Sequence, residues 1–297
     1  YIVFCGVHFM AEVADILSRP GQVSILPDLA AGCSMADMAN LEAVERSWQE
    51  LATVLDPDTA ITPVTYINSA ADLKAFCGRH GGIVCTSSNA RAVLDWSFSR
   101  REKILFFPDE HLGRNTALRM GMQDDDFAVW DFSRPMGGLT PEQISRARML
   151  LWKGYCSVHQ MFLPEHVERF RASHPDCRVI VHPECSAEVC RLADEVGSTE
   201  FILNTVRAGG SGQRWLVGTE LNLVNRLAAE MKPMGTDVHF LSPVICMCST
   251  MFRTDPQHLL WVLENLVEGH VVNRIQVDSL TAEQARSTLD RMLEVVG

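Results

Sequence analysis

The sequence predicts an α/β protein assembled from repeated strand–turn–helix units with parallel strands. Three stretches share one pattern: an apolar strand, a small polar turn, then an amphipathic helix. They are Tyr1–His8 leading into Phe9–Leu17, Ile104–His111 leading into Leu112–Met120, and Trp215–Leu221 leading into Asn222–Met231. Each is followed by a second apolar strand and then a cysteine. Val23–Leu26 precedes Cys33, Phe127–Trp130 precedes Cys156, and Val238–Leu241 precedes Cys248.

The spacing supports a true repeat. His8 to Cys33 is 25 residues, Leu221 to Cys248 is 27, and His111 to Cys156 is 45. The excess in the middle unit fits the polar segment Ser133–Ala147, with a helix start in Thr140-Pro-Glu-Gln. A further block repeats in two units. Val64–Ala70 opens a helix to Cys77, followed by Ile83–Asn89; Val179–Cys185 opens a helix to Glu195, followed by Gly197–Thr199. The first unit has no such block, because Tyr1 falls on what would be its third strand. The reading therefore expects a preceding segment of roughly 30 to 40 residues or more. It divides the chain into a first domain of residues 1–35 plus 249–297, incomplete at its start, a second of 36–155 and a third of 156–248.

Composition narrows the function classes. Of 297 residues, 47% are hydrophobic and 21% charged, which is ordinary for a soluble globular protein and gives the expectation of a cytoplasmic one. No apolar run reaches the roughly 18 residues of a membrane helix. The net charge of −11, with no Lys/Arg cluster, argues against nucleic acid or an anionic membrane as partner. Anionic small molecules stay open, since helix N-termini bind them whatever the net charge.

Ten cysteines lie in a chain without the spacing of a small disulfide scaffold. Cys5, Cys77, Cys85, Cys177 and Cys190 sit in apolar or helix-like stretches and read as buried small hydrophobes. Cys33, Cys156 and Cys248 differ, because they occupy equivalent places after equivalent strands. Ligands of open α/β sheets gather beyond the carboxyl ends of strands, so three such units packed about one axis would bring three thiols together. Three thiolates suit a [4Fe–4S] cluster with one iron free, or a zinc with an open position. The alternative is three structural cysteines, and Cys246 competes with Cys248 as a ligand.

Other residues carry two readings each. His182 and Glu184, two apart after a strand, point the same way and could share proton transfers; equally, Pro183 forces a turn and Glu184 caps the next helix. Tyr66 and Asn68 repeat that geometry, as a phenol donor and an amide, or Asn68 or Ser69 opens a capping box with Asp72. Ser87 and Thr199 open helices or turns at matching points and make an anion cradle or plain caps, with Ser88 a substitute for Ser87. His159, three residues after Cys156, lines the same cavity or is a packed core histidine.

Seven motifs carry a family resemblance. They are Pro27–Asp37, Val64–Ser69, Cys85–Asn89, Trp152–His159, His182–Glu184, Gly197–Thr199 and Gly218–Arg226. Together, and in this order, they resemble the quinolinate synthase family over almost the whole chain. The resemblance implies three αβα sandwich domains with short parallel sheets around a pseudo-threefold axis. It also implies condensation of iminoaspartate with dihydroxyacetone phosphate to quinolinate, with loss of phosphate and water. The implied cofactor is a [4Fe–4S] cluster held by Cys33, Cys156 and Cys248, its open iron a Lewis acid. Cys248-Ser-Thr-Met251 departs from the family's Cys-Pro-x-Met but keeps the methionine, which favours Cys248 over Cys246. His182, Glu184 and Tyr66 are then the candidate catalytic residues. Tyr66, Asn68, Ser87, His159, His182, Glu184 and Thr199 are the candidate substrate-binding set. Glu220 and Asn222 belong to a family motif without a derivable role. The family's first block supplies a histidine, a tyrosine and a serine that precede Tyr1, so little activity is expected of this chain alone. An L-aspartate oxidase or dehydrogenase is the implied functional neighbour. A zinc-dependent lyase or aldolase, or an inactive anion-binding fragment, are the alternatives.

Overall fold

In the first third of the chain, β1 (Ile2–Val3), α1 (His8–Leu17), β2 (Ser24–Ile25) and α2 (Leu41–Leu51) lead through α3 (Pro57–Ala60) into β3 (Ile61–Tyr66), α4 (Ala71–Arg79), β4 (Ile83–Cys85) and α5 (Ala90–Phe98). This computed structural model describes residues 1–245 and 247–296, so the Cys246 alternative lies outside the described residues. The chain continues through β5 (Lys103–Phe107), α6 (His111–Arg119), β6 (Phe127–Trp130), α7 (Pro141–Arg146), β7 (Met149–Trp152) and α8 (Pro164–Ser173). Next come β8 (Arg178–Val181), α9 (Ala187–Leu192), β9 (Glu195–Val196), α10 (Thr199–Ala208), β10 (Arg214–Gly218), α11 (Leu221–Met231) and β11 (Asp237–Phe240). The last elements are α12 (Pro256–Val267), β12 (Arg274–Ile275) and α13 (Ser279–Val296).

Among the described residues three sheets result, ordered β1-β2-β12, β4-β3-β5-β7-β6 and β11-β10-β8-β9. The second and third are wholly parallel, which is the α/β architecture the repeat predicts. Parallel sheets are covered on both faces, so their strands read as continuous apolar runs. Accordingly all residues of β3, β5 and β7 are buried. Lys103 fits there because its ammonium donates to Ser145 O and Ala147 O, each at 2.6 Å. β12 pairs antiparallel with β2, while α13 packs Ala285 and Leu289 onto Ala71, Ala75 and Val84 of the middle sheet's layer. Gly78 permits that approach, since a Cβ there would lie 2.3 Å from Gln284 O.

The repeat is real, but one assignment within it is corrected. β7, not Phe127–Trp130, neighbours β5 as β2 neighbours β1 and β11 neighbours β10. Phe127–Trp130 is β6, an additional edge strand. The expected helix in the inserted segment is α7, closed by a reciprocal Thr140–Gln143 capping box. Cys77, Cys85 and Cys177 are buried as expected and Cys190 half-buried, but Cys5 is exposed. Cys5 follows a two-residue strand at the edge of a three-stranded sheet, with no neighbouring strand on that side among the described residues.

Candidate active site

A cavity of about 390 Å³ opens beyond the carboxyl ends of the strands and is lined by Cys33, Cys156 and Cys248. The same wall carries Tyr66, Asn68, Ser87, His159, His182, Glu184 and Thr199. The three cysteines come from loops after β2, β7 and β11, which belong to three different sheets. Two of these loops touch: Ser34 Oγ lies 3.5 Å from Ser157 Oγ, across 123 residues of sequence. Gly154 makes the β7 turn possible, because a Cβ there would sit 1.9 Å from Pro108 O.

The local alternatives to a functional role are absent at several positions. Ser186, not Glu184, caps α9, accepting from Val189 N. Ala70 occupies the cap position of α4 without a side-chain bond, and Glu12 of α1 accepts from Ala71 N at 3.0 Å instead. Asn68 therefore has no capping duty. Ser69 accepts from Thr65 and donates to Tyr66 O, knitting the strand end together. At α5 the cap position is Asn89, not Ser87; at α10 it is Ser198, accepting from Phe201 N, with Thr199 the first helical residue. Ser88 is exposed. Glu220, left without a role by sequence reasoning, N-caps α11 through Asn222 N and Leu223 N while lining the cavity.

His159, His182 and Glu184 form a buried core to the site. His159 Nδ1 lies 2.9 Å from Glu184 Oε2, and His182 Nδ1 lies 3.9 Å from Glu184 Oε1. The two imidazoles stack with centroids 4.9 Å apart. Burial is the largest influence on Glu184 and would raise its pKa. The two histidines and the Tyr66 phenol outweigh it and hold the carboxyl well below its usual range. His182 is driven down to about 4 by burial, against the pull of Glu184, so it is neutral near pH 7. Burial, then the Glu184 charge, keep the Tyr66 phenol protonated far beyond its ordinary range. The site thus pairs an ionised carboxylate with a neutral imidazole and a phenol donor.

The donor set fits a metal group. Burial, with the Glu184 charge behind it, pushes the Cys33 thiol up to about 11 and Cys156 well above its ordinary value. Such thiols stay protonated until a cation replaces the protons. Both ring nitrogens of His159 are buried without a well-aligned hydrogen bond, although Nδ1 approaches Glu184 Oε2 at 2.9 Å. One donor atom each from Cys156, His159 and Glu184 lies within 4.8 Å of the others, a group able to hold a metal ion. Soft thiols from three loops favour iron–sulfur or zinc over magnesium or calcium.

Sequence reasoning missed the supports behind these residues. Lys74, fully buried, donates to Ile67 O at 2.9 Å and to Ser69 O, pinning the loop that carries Asn68. Asn115 and Gln160 hold segments of the third unit to α6. None of these contacts has a local signal, because most of the partners are backbone carbonyls.

The chain is similar to known proteins along nearly its whole length. The family model described as "Quinolinate synthetase A protein" (NadA) matches residues 1–294. A quinolinate synthase of Rhodopirellula baltica is 56% identical over 99% of this chain and 77% of its own length. Another, of a Nocardioides species, is 56% identical over 100% of this chain and 76% of its own. A third, of Acidobacterium capsulatum, is 54% identical over 100% and 80%. With its α/β architecture, its cavity and this match along nearly its whole length, the chain belongs to the quinolinate synthetase A family.

Proposed function

We propose that the protein condenses iminoaspartate with dihydroxyacetone phosphate to quinolinate, with loss of phosphate and water, in the cavity lined by Cys33, Cys156 and Cys248. What supports this most is one coincidence. The ten residues picked out by motif line a single cavity in a chain whose relatives are quinolinate synthases. We assign the three thiols as ligands of a [4Fe–4S] cluster, which when bound supplies a Lewis-acidic iron with an open position.

The protein's own groups then divide the work. Tyr66, held as a phenol, donates to a carbonyl or enol oxygen. Glu184, ionised, and His182, neutral, take and return protons, a pairing suited to repeated proton transfers near neutral pH. Asn68, Ser87 and Thr199 orient carboxylate or phosphate, helped by the N-terminal dipole of α10. His159 fixes the Glu184 carboxylate. The apolar wall of Phe9, Met10, Met35 and Met251 limits water around unstable intermediates. We keep the three-domain division at 1–35 plus 249–297, 36–155 and 156–248, with the site where they meet, and a cytoplasmic setting beside an enzyme that oxidises L-aspartate. Among the described residues no helix is long and apolar enough to cross a membrane.

The test supplies both substrates to anaerobically prepared protein, expressed with the preceding block that the repeat leads us to expect, and measures quinolinate and released phosphate. One phosphate per quinolinate supports the reading; phosphate without quinolinate, or neither, defeats it. A zinc-dependent lyase is the second reading, favoured by the Cys156, His159 and Glu184 donors, since such mixed sets suit tetrahedral zinc. Metal and sulfide analysis separates the two, because a zinc site contains no sulfide.

A further inference from the structure

Asn115 lies in the middle of α6 and is 3% exposed. Its Nδ2 donates to Pro183 O and to Cys185 O, each at 2.8 Å. Those carbonyls flank Glu184, so one amide group grips the turn on both sides of that carboxylate. One turn earlier on the same helix face, as i and i+4 residues stand, is His111. Its Nε2 lies 2.7 Å from Gln160 Nε2, and Gln160 follows His159. Burial keeps the His111 imidazole neutral, so the ring nitrogen accepts from the amide. α6 therefore holds, from one face, the two segments whose side chains meet at 2.9 Å as His159 and Glu184.

The helix is itself well anchored. The buried Asp109 carboxylate accepts from Leu112 N at its first turn. Arg119, at its far end, donates to Val196 O at 2.6 Å. Glu184 has no capping role of its own, and Pro183 cannot donate a backbone hydrogen bond. Within the turn Cys185 N donates to His182 O at 3.0 Å and Glu184 N to His182 Nδ1 at 3.3 Å, and from α6 the Asn115 amide adds a grip on its two outer carbonyls.

We propose that Asn115 is a positioning residue: by fixing the Pro183–Cys185 turn it sets the Glu184 carboxylate against His159 and Tyr66. The consequence for turnover rests on the quinolinate synthase reading; the consequence for the turn does not. Packing alone would make Asn115 a neutral part of the interface. Asn115→Asp separates these, because it keeps the shape and removes the donor pair.

In iron-loaded protein Asn115→Asp is expected to lower kcat by about 10- to 100-fold, the scale of a small misplacement of a reacting group. KM should stay within about threefold, since ground-state binding contacts are untouched. On a Glu184→Gln background the same change should cost less than about twofold, because a residue acting through Glu184 has nothing left to position. Hydrogen exchange across residues 181–186 should quicken while β3 and β5 keep wild-type protection. Should Asn115→Asp fail to fold, Asn115→Ala carries the same expectations. Unchanged kcat, or full additivity with Glu184→Gln, overturns the proposal. If wild-type protein makes no quinolinate, the functional reading has failed and the exchange measurement decides alone, unchanged exchange at 181–186 overturning Asn115's role.

Discussion

Replacing Glu184 by Gln removes one negative charge from the centre of the site and almost nothing else. The carboxylate is 4% exposed and 3.9 Å from the His182 ring. At an effective dielectric of about 20, opposite charges at that separation attract by about 4 kcal/mol, so the variant withdraws that support from a protonated His182. At 1.36 kcal/mol per tenfold, this is about three powers of ten in the ease of protonating an imidazole already held down to about 4. The loss falls within the range of about 10² to 10⁴ expected for a general acid–base group. Steady-state quinolinate formation, normalised to iron content, is the assay. The account expects turnover to drop by roughly a thousandfold with iron content unchanged, because Glu184 is no thiolate ligand. Turnover within about threefold of wild type would show that the carboxylate only packs. Iron lost in parallel would show it to be a ligand or a folding element.

Three further outcomes follow from the same geometry. Cys33→Ser, Cys156→Ser or Cys248→Ser should each abolish iron binding and activity together, whereas Cys77→Ala and Cys177→Ala should keep wild-type iron content; equal loss in both groups would mean that folding was being measured. Lys74, lowered by burial from 10.5 to about 8, makes stability depend on pH. Between about pH 8 and 10.5 the unfolded chain binds more protons at this site, so stability rises with pH across that window, by at most about 3 kcal/mol. Urea titrations should show the rise in wild-type protein and its absence in Lys74→Met; identical slopes would refute it. The same variant frees the loop bearing Asn68, so KM for the substrates should rise by about tenfold or less, measured alongside iron content.

Much of this was legible in the sequence, for identifiable reasons. Strand runs such as Ile104–Phe107 are apolar throughout because both faces of a parallel sheet are covered. Thr140-Pro-Glu-Gln announces α7 because each of its residues has a capping or first-turn role. β7 was missed: Met149–Trp152 follows the capped helix after only two residues, and a four-residue apolar run has no period of its own. Cys5 was misjudged because apolar neighbours in sequence do not reveal that a strand lies at a sheet edge. For Glu184, Asn68, Ser87 and Thr199, local pattern left both a cap and a function open. The structure decides the capping question by giving the caps to Ser186, Asn89 and Ser198 or leaving the position bare at Ala70. Asn115 had no signal at all, since its partners are carbonyls 68 and 70 residues away.

The central claim is that Cys33, Cys156 and Cys248, which line one cavity, would hold a [4Fe–4S] cluster that supplies a Lewis-acidic iron with an open position. Mössbauer spectroscopy of anaerobically reconstituted protein, before and after adding quinolinate, tests it most directly. The account predicts a [4Fe–4S] spectrum in which one iron of the four changes its parameters when the dicarboxylate is added. A spectrum with all irons unmoved, or a preparation that holds metal without sulfide, would contradict it.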